Sequence, residues 1–129
     1  MVTSITQTSA PAPASEPAGP KPIRLLLSTD SPTIHTGLAE TTRLVFNRLI
    51  EKFPGKYAVE QIGWFHNPQG PEPAKWKVYP TAIKNGNFVH DDRYGQQSFE
   101  GILRESKPDI VYSNGDLWCF DHILNSPSR

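Results

Sequence analysis

Thr36 and Gly37 sit where a polar loop, "STDSPTIHTG", turns into an amphipathic run. A helix opening there leaves its first N–H groups without intrahelical partners, and its dipole favours negative charge, so this junction can hold an anion. Thr36 at the N-cap could equally serve the helix alone. Asp116 lies in a second polar cluster, "SNGD", which follows one apolar run and precedes another. A carboxylate there stands in partly desolvated surroundings; its other reading is a cap for the segment that follows.

Other chemistries find less support. There is no P-loop lysine pattern and no three-glycine dinucleotide fingerprint, so neither ATP hydrolysis nor NAD binding is indicated. His35, His66, His90 and His122 show no zinc-site spacing, and Cys119 has no partner cysteine, so no metal site is expected. No nucleophile elbow or Ser–His–Asp arrangement can be read. Asp91-Asp92 could bind a divalent ion, but reads rather as a paired-acid loop on the surface. Trp64, Trp76 and Trp118 read as core anchors, although Trp64 and Trp118 follow strands, where a cleft would open. Asp30 ends the first strand, but "RLLLSTDSP" offers no further acid beside it, which disfavours a receiver-type protein.

These residues need a scaffold of modest size. The chain has 129 residues, the expectation for one domain, with 13 Lys+Arg balanced by 13 Asp+Glu. That balance gives no electrostatic footprint for nucleic acid. Residues 1–22, with five of the 13 prolines and few large apolar side chains, read as a disordered leader without the features of a secretory signal. No run approaches the ~18 apolar residues of a transmembrane segment. The single cysteine fits a reducing, cytoplasmic setting.

From residue 23 the patterning is regular. Residues 23–28 read as a strand buried on both faces. Residues 37–53 read as a helix with Leu38, Val45, Leu49 and Ile50 inward, Phe46 and Phe53 flanking, and Glu40, Arg43, Asn47 and Glu51 in water. Strands are expected at 57–64, 76–80 and 109–113, and a second helix over 93–106, with Phe99, Ile102 and Leu103 buried. Residues 82–89 read either as a hairpin about Asn85-Gly86 or as an irregular loop. The run "LWCFDHIL" starts another helix or turn. This order predicts an α/β fold, a Rossmann-like open and mostly parallel sheet with flanking helices. In such sheets ligands sit beyond the carboxyl ends of the strands, where both polar clusters fall.

Four stretches, "TGLAETTRLVFNRL", "VEQIGWFH", "WKVYP" and "YGQQSFEGILRESKPDIVYSNGDLW", resemble in order and spacing the N-terminal domain of group 1 glycosyltransferases. These are retaining, nucleotide-sugar-dependent enzymes with two Rossmann-like domains, the GT-B architecture. The resemblance covers about residues 23–118. It implies that Thr36 and Gly37 approach the donor diphosphate. It implies that Asp116 faces the acceptor as the catalytic residue, and that His66, Tyr94, Gly95 and Asn114 line the acceptor cleft. No catalytic metal and no cofactor beyond the nucleotide-sugar substrate is implied. The family's second domain, which holds most of the donor, is not in this sequence. Residues 23–129 are therefore expected to be a partial N-terminal domain, truncated or half of a split enzyme, inactive alone and completed by a second Rossmann-like domain or chain. The competing reading is a non-enzymatic binding or interaction module on the same sheet.

Overall fold

Leu25 and Leu27 are buried in one core and Leu26 in another, because the strand that carries them is covered on both faces. The computed structural model describes residues 21–67 and 75–128. Strand β1 (Ile23–Asp30) is followed by helix α1 (Gly37–Lys52), β2 (Tyr57–Trp64) and β3 (Lys77–Thr81). The short strands β4 (Ile83–Lys84) and β5 (Asn87–Phe88) come next, then α2 (Phe99–Ser106), β6 (Ile110–Ser113) and α3 (Asp121–Leu124). Single 3-10 turns occupy His90–Asp92 and Leu117–Cys119.

The four longer strands form one parallel sheet in the order β3-β2-β1-β6. The expected Rossmann-like open sheet with flanking helices is what the chain forms. One face packs Leu25, Leu27 and Val59 against Phe46 of α1. The other packs Leu26, Ile62 and Trp64 against Phe99 and Ile102 of α2, with Cys119, Phe120 and Ile123 from the C-terminal segment. Pro80 is tolerated inside β3 because β3 is an edge strand, whose outer N–H groups need no partner.

Three expectations need correction. Helix α1 ends within one residue of the predicted limits, but its inward face is only partly the predicted one: Leu49 and Ile50 do pack against the core, whereas Val45 does not. The helix buries Ala39, Thr42 and Phe46, while Leu44 and Val45 are 62% and 52% exposed and Phe53 is exposed at its end. Ala39 lets the backbone approach the sheet, and Phe46 meets Tyr112 of β6 edge-on at 5.1 Å. These two contacts set the helix's rotation. Helix α2 begins at Phe99, not near residue 93.

The cause of the late start is Asp92, read from sequence as surface acid and in fact fully buried. Its Oδ1 accepts the N–H groups of Gln97 and Ser98 at 3.0 Å, and its Oδ2 accepts the Ser98 hydroxyl at 2.6 Å. Lys84 adds an ion pair at 3.0 Å. Asp92 thus holds the chain in a loop before the helix. Gly95 makes the bend there with φ of +82°, and a Cβ on it would stand 2.9 Å from Ile62 Cγ2.

The hairpin reading of residues 82–89 holds. Ile83 pairs with Phe88 antiparallel, and Asn85 and Gly86 take φ of 53° and 79°, the left-handed pair of a tight turn. At the opposite end of the sheet, Arg24 Nε donates to the carbonyls of Ser106 and Lys107, both at 3.0 Å. A cation there offsets the negative end of α2. Most of the Pro/Ala/Ser-rich leader lies outside the described residues. No helix among them is long and apolar enough to cross a membrane.

Candidate functional site at the carboxyl edge of the sheet

From β1 the chain runs outward through β2 and β3 on one side and returns to β6 on the other. The loops after β1 and β6 therefore leave neighbouring strands in different directions, and it is at such a switch point that open sheets of this kind bind ligands. Thr29 Oγ1 donates to the Asn114 carbonyl at 2.9 Å, and Ser113 Oγ donates to the Ser28 carbonyl at 2.7 Å. These bonds pin the two strand ends together at this switch point.

Thr36 is the N-cap of α1, its hydroxyl accepting the Ala39 N–H at 3.0 Å. The same hydroxyl donates to Asp30 Oδ2 at 2.6 Å. Above Gly37 there is open space, since an added Cβ would meet nothing within 4 Å. The first N–H groups of the helix are thus reachable from outside, with a carboxylate close by.

His66 follows β2 and turns back toward the loop after β1. Its Nδ1 lies 2.8 Å from Ser31 Oγ and 3.4 Å from Thr33 Oγ1. Thr33 Oγ1 also accepts the Asn67 N–H at 2.9 Å. Ser31 and Thr33 are buried, so the pair orients the imidazole and ties the two loops together. Burial lowers the His66 pKa below its ordinary value, which keeps the ring neutral at pH 7. A Ser–His contact also marks nucleophilic catalysis, but a serine with no accessible surface cannot meet a substrate.

On the other side of β2, Tyr94 packs edge-on to Trp64 at 5.0 Å. The Trp64 ring in turn lies 3.3 Å from the place a Cβ on Gly115 would take. Tyr94, Trp64 and Gly115 thus form a continuous wall from the hairpin side of the rim to the turn after β6. Gly95, next in the chain, is buried, and a Cβ on it would meet Ile62 and Thr81. Asp116 is exposed and opens the 3-10 turn, yet its carboxylate makes no capping bond. Only its backbone carbonyl serves the turn, accepting the Cys119 N–H at 2.9 Å.

The structure therefore brings Thr36, Gly37, His66, Tyr94, Asn114 and Asp116 to one edge of the sheet. It buries Gly95. Sequence reading missed Asp30 as a partner of Thr36, and it missed Ser31 and Thr33 behind His66. It also missed Arg93, which lies over the rings of Phe88 and Tyr94 at 5.1 and 5.7 Å. An Arg–Tyr dipeptide beside a histidine was the available signal. Among the described residues, no group of three or more His, Cys, Asp or Glu side chains could hold a metal ion.

No protein-family model, no curated protein and no solved structure matches this chain. A Rossmann-like sheet hosts many functions, so the chemistry of this edge has to decide between them.

Proposed function

We propose that this chain is the acceptor-side domain of a nucleotide-sugar-dependent glycosyltransferase, completed by a second Rossmann-like unit that holds most of the donor. One observation supports the reading above the rest. The open N-terminus of α1 at Gly37 and the uncommitted carboxylate of Asp116 lie in the loops that follow the neighbouring strands β1 and β6, at the switch point of the strand order where open sheets bind ligands. The helix N–H groups would meet the donor diphosphate and stabilise the charge that develops as it leaves. Asp116 would accept a hydrogen bond from the acceptor hydroxyl and aim its oxygen at the anomeric carbon. The bond from that carbon to the diphosphate breaks as the bond to the acceptor oxygen forms; the bonding pair leaves with the diphosphate, and the hydroxyl proton passes to the Asp116 carboxylate that accepts its hydrogen bond. His66, held by Ser31, and Tyr94, held by Trp64, would shape the acceptor side, with Asn114 just after β6. Cys119, a buried free thiol, fits a reducing compartment such as the cytoplasm.

A specific observation favours the second reading, a binding module without transfer chemistry. The Asp30 carboxylate bound to Thr36 puts a negative charge beside the helix terminus that a diphosphate would need. Titration of the labelled chain with uridine- and guanosine-diphosphate sugars separates the two. Transfer chemistry predicts amide shifts at Gly37, Leu38, Asn114 and Asp116. Unmoved amides at all four, with either nucleotide, would leave the binding module as the better account. In an assembly competent for transfer, Asp116→Asn should lower turnover more than donor affinity. Gly37→Val, which fills the open approach, should do the reverse.

A further inference from the structure

We infer that the cleft between the His90–Asp92 turn and the segment after β6 binds a single-ring ligand carrying an anionic group, a phosphorylated or carboxylated monosaccharide. The cleft has a volume of about 270 Å³ and is lined by His90, Arg93, Tyr94, Gln96 and Trp118. That lies just under the roughly 300–1,000 Å³ of pockets for drug-sized molecules, so one ring fits and a nucleotide sugar does not.

The polar groups of the cleft are predominantly donors. Arg93 Nη2 lies 3.1 Å from His90 Nδ1. Arginine has no lone pair to offer, so Nδ1 accepts and the imidazole proton sits on Nε2. Gln96 Oε1 is occupied by the Tyr94 N–H at 2.8 Å, which leaves its amide N–H groups to give. Arg93 Nε is buried without a hydrogen-bond partner, and Arg93 makes no ion pair among the described residues. No Asp or Glu lines the cleft.

A guanidinium packed within 5.1 and 5.7 Å of the Phe88 and Tyr94 ring centres is held in place by them, with donors left for a carboxylate or phosphate. Trp118 supplies the complementary surface. It is 70% exposed at the mouth of the cleft, the opposite of the core anchor its residue type suggests. An exposed indole presents a face on which the C–H side of a pyranose can lie, while the anionic substituent reaches Arg93. The inference concerns binding alone and does not depend on glycosyl transfer.

The test is a titration of the full chain with glucose 6-phosphate and glucuronate against glucose and inorganic phosphate, read by calorimetry and by tryptophan fluorescence. At least one anionic sugar should bind about tenfold or more tighter than glucose and than phosphate alone. Whichever anion wins identifies the substituent. Trp118→Ala, at an exposed site that folding does not need, should weaken the anionic sugar by about tenfold. Arg93→Gln should remove the preference for the anionic sugar over glucose. Should that variant fail to fold, Arg93→Lys should keep the preference at reduced affinity, since the charge stays and the fork is lost. Equal affinity for glucose and both anionic sugars, binding of phosphate alone as tight as of either sugar, or an unaffected Trp118→Ala variant would each overturn the inference. None of these outcomes bears on donor binding at Gly37, so the two readings fail separately.

Discussion

Thr36 fastens β1 to α1: its hydroxyl donates to Asp30 at 2.6 Å and accepts from Ala39 at 3.0 Å. One side chain thereby satisfies an orphan helix donor and holds the carboxylate at the strand's end. The same arrangement sets the electrostatics of the anion site. Two like charges about 4 Å apart repel by ~1 kcal/mol in bulk water and by ~4 kcal/mol near a protein surface. An anion at Gly37 therefore binds against Asp30, unless a cation from another unit offsets it.

Two substitutions separate the cap from the charge. Thr36→Ala removes the cap and should cost about 1 kcal/mol in urea unfolding. Asp30→Asn keeps an acceptor for Thr36 and removes the charge, so affinity for pyrophosphate should rise, most at low salt. Weaker pyrophosphate binding in Asp30→Asn would mean that the carboxylate helps the site rather than opposes it.

Gly95 and Gly37 should respond to alanine in opposite ways. At Gly95 a Cβ meets Ile62 at 2.9 Å in a left-handed conformation, so Gly95→Ala should destabilise by roughly 1–3 kcal/mol. At Gly37 the Cβ enters open space at the start of a helix, and Gly37→Ala should be neutral or stabilising by up to about 1 kcal/mol. Denaturant midpoints of the two variants measure both effects. Equal losses would show that Gly37 has a structural role not visible in its surroundings.

What could be read in the sequence divides along one physical line. Strand β1 and helix α1 were legible to within about two residues, because their signals are local: a continuous apolar run, and a polar loop ending in Thr36-Gly37. The rotation of α1 was not. Its apolar residues wrap around more than one face, and only the packing of Ala39 on the sheet and of Phe46 on Tyr112 selects among them. The carboxyl edge was legible as a place, since strand order puts both polar clusters there. Its contents were not, because Ser31 and His66 are 35 residues apart and meet only once Asp30 pairs with Trp64. Asp92 and Arg93 read as the approach to a helix. Their roles depend on Ser98, Lys84 and Phe88, which no spacing rule connects to them.

Asp92 makes stability fall at acid pH. Its burial alone would raise its pKa, but the bonds from Ser98, Lys84 and Gln97 outweigh that and hold it below the ordinary value of 3.8. The unfolded chain then binds a proton more readily than the folded one. The stabilisation is complete above about pH 4, the unfolded value, and is lost as pH falls through the lower folded value. Asp92→Asn leaves Lys84 unpaired and should cost about 1–3 kcal/mol at pH 7. The difference between the wild type and this variant should shrink by pH 3. A gap that stays constant between pH 7 and pH 3 would assign the effect to shape rather than charge.

His122 adds a second, milder pH dependence nearer neutrality. Its ring packs edge-on to Phe99 at 5.4 Å, and its Nε2 is buried without a hydrogen-bond partner. Burial lowers its pKa below 6.5, although Asp92 and Asp121 pull it back in part; His66 is lowered by burial as well. For a lowered histidine the unfolded chain takes up protons first as pH falls. Stability is therefore full above about pH 6.5 and declines below it, down to the folded pKa. His122→Phe keeps a ring against Phe99 and cannot be protonated. Its loss of stability between pH 7 and pH 5 should be smaller than that of the wild type, and the double variant with His66→Gln should be nearly flat over that range. Unfolding midpoints at half-unit steps of pH give the slopes. A His122→Phe slope equal to that of the wild type would show that the buried imidazole does not titrate in this window, and that the decline belongs to other groups.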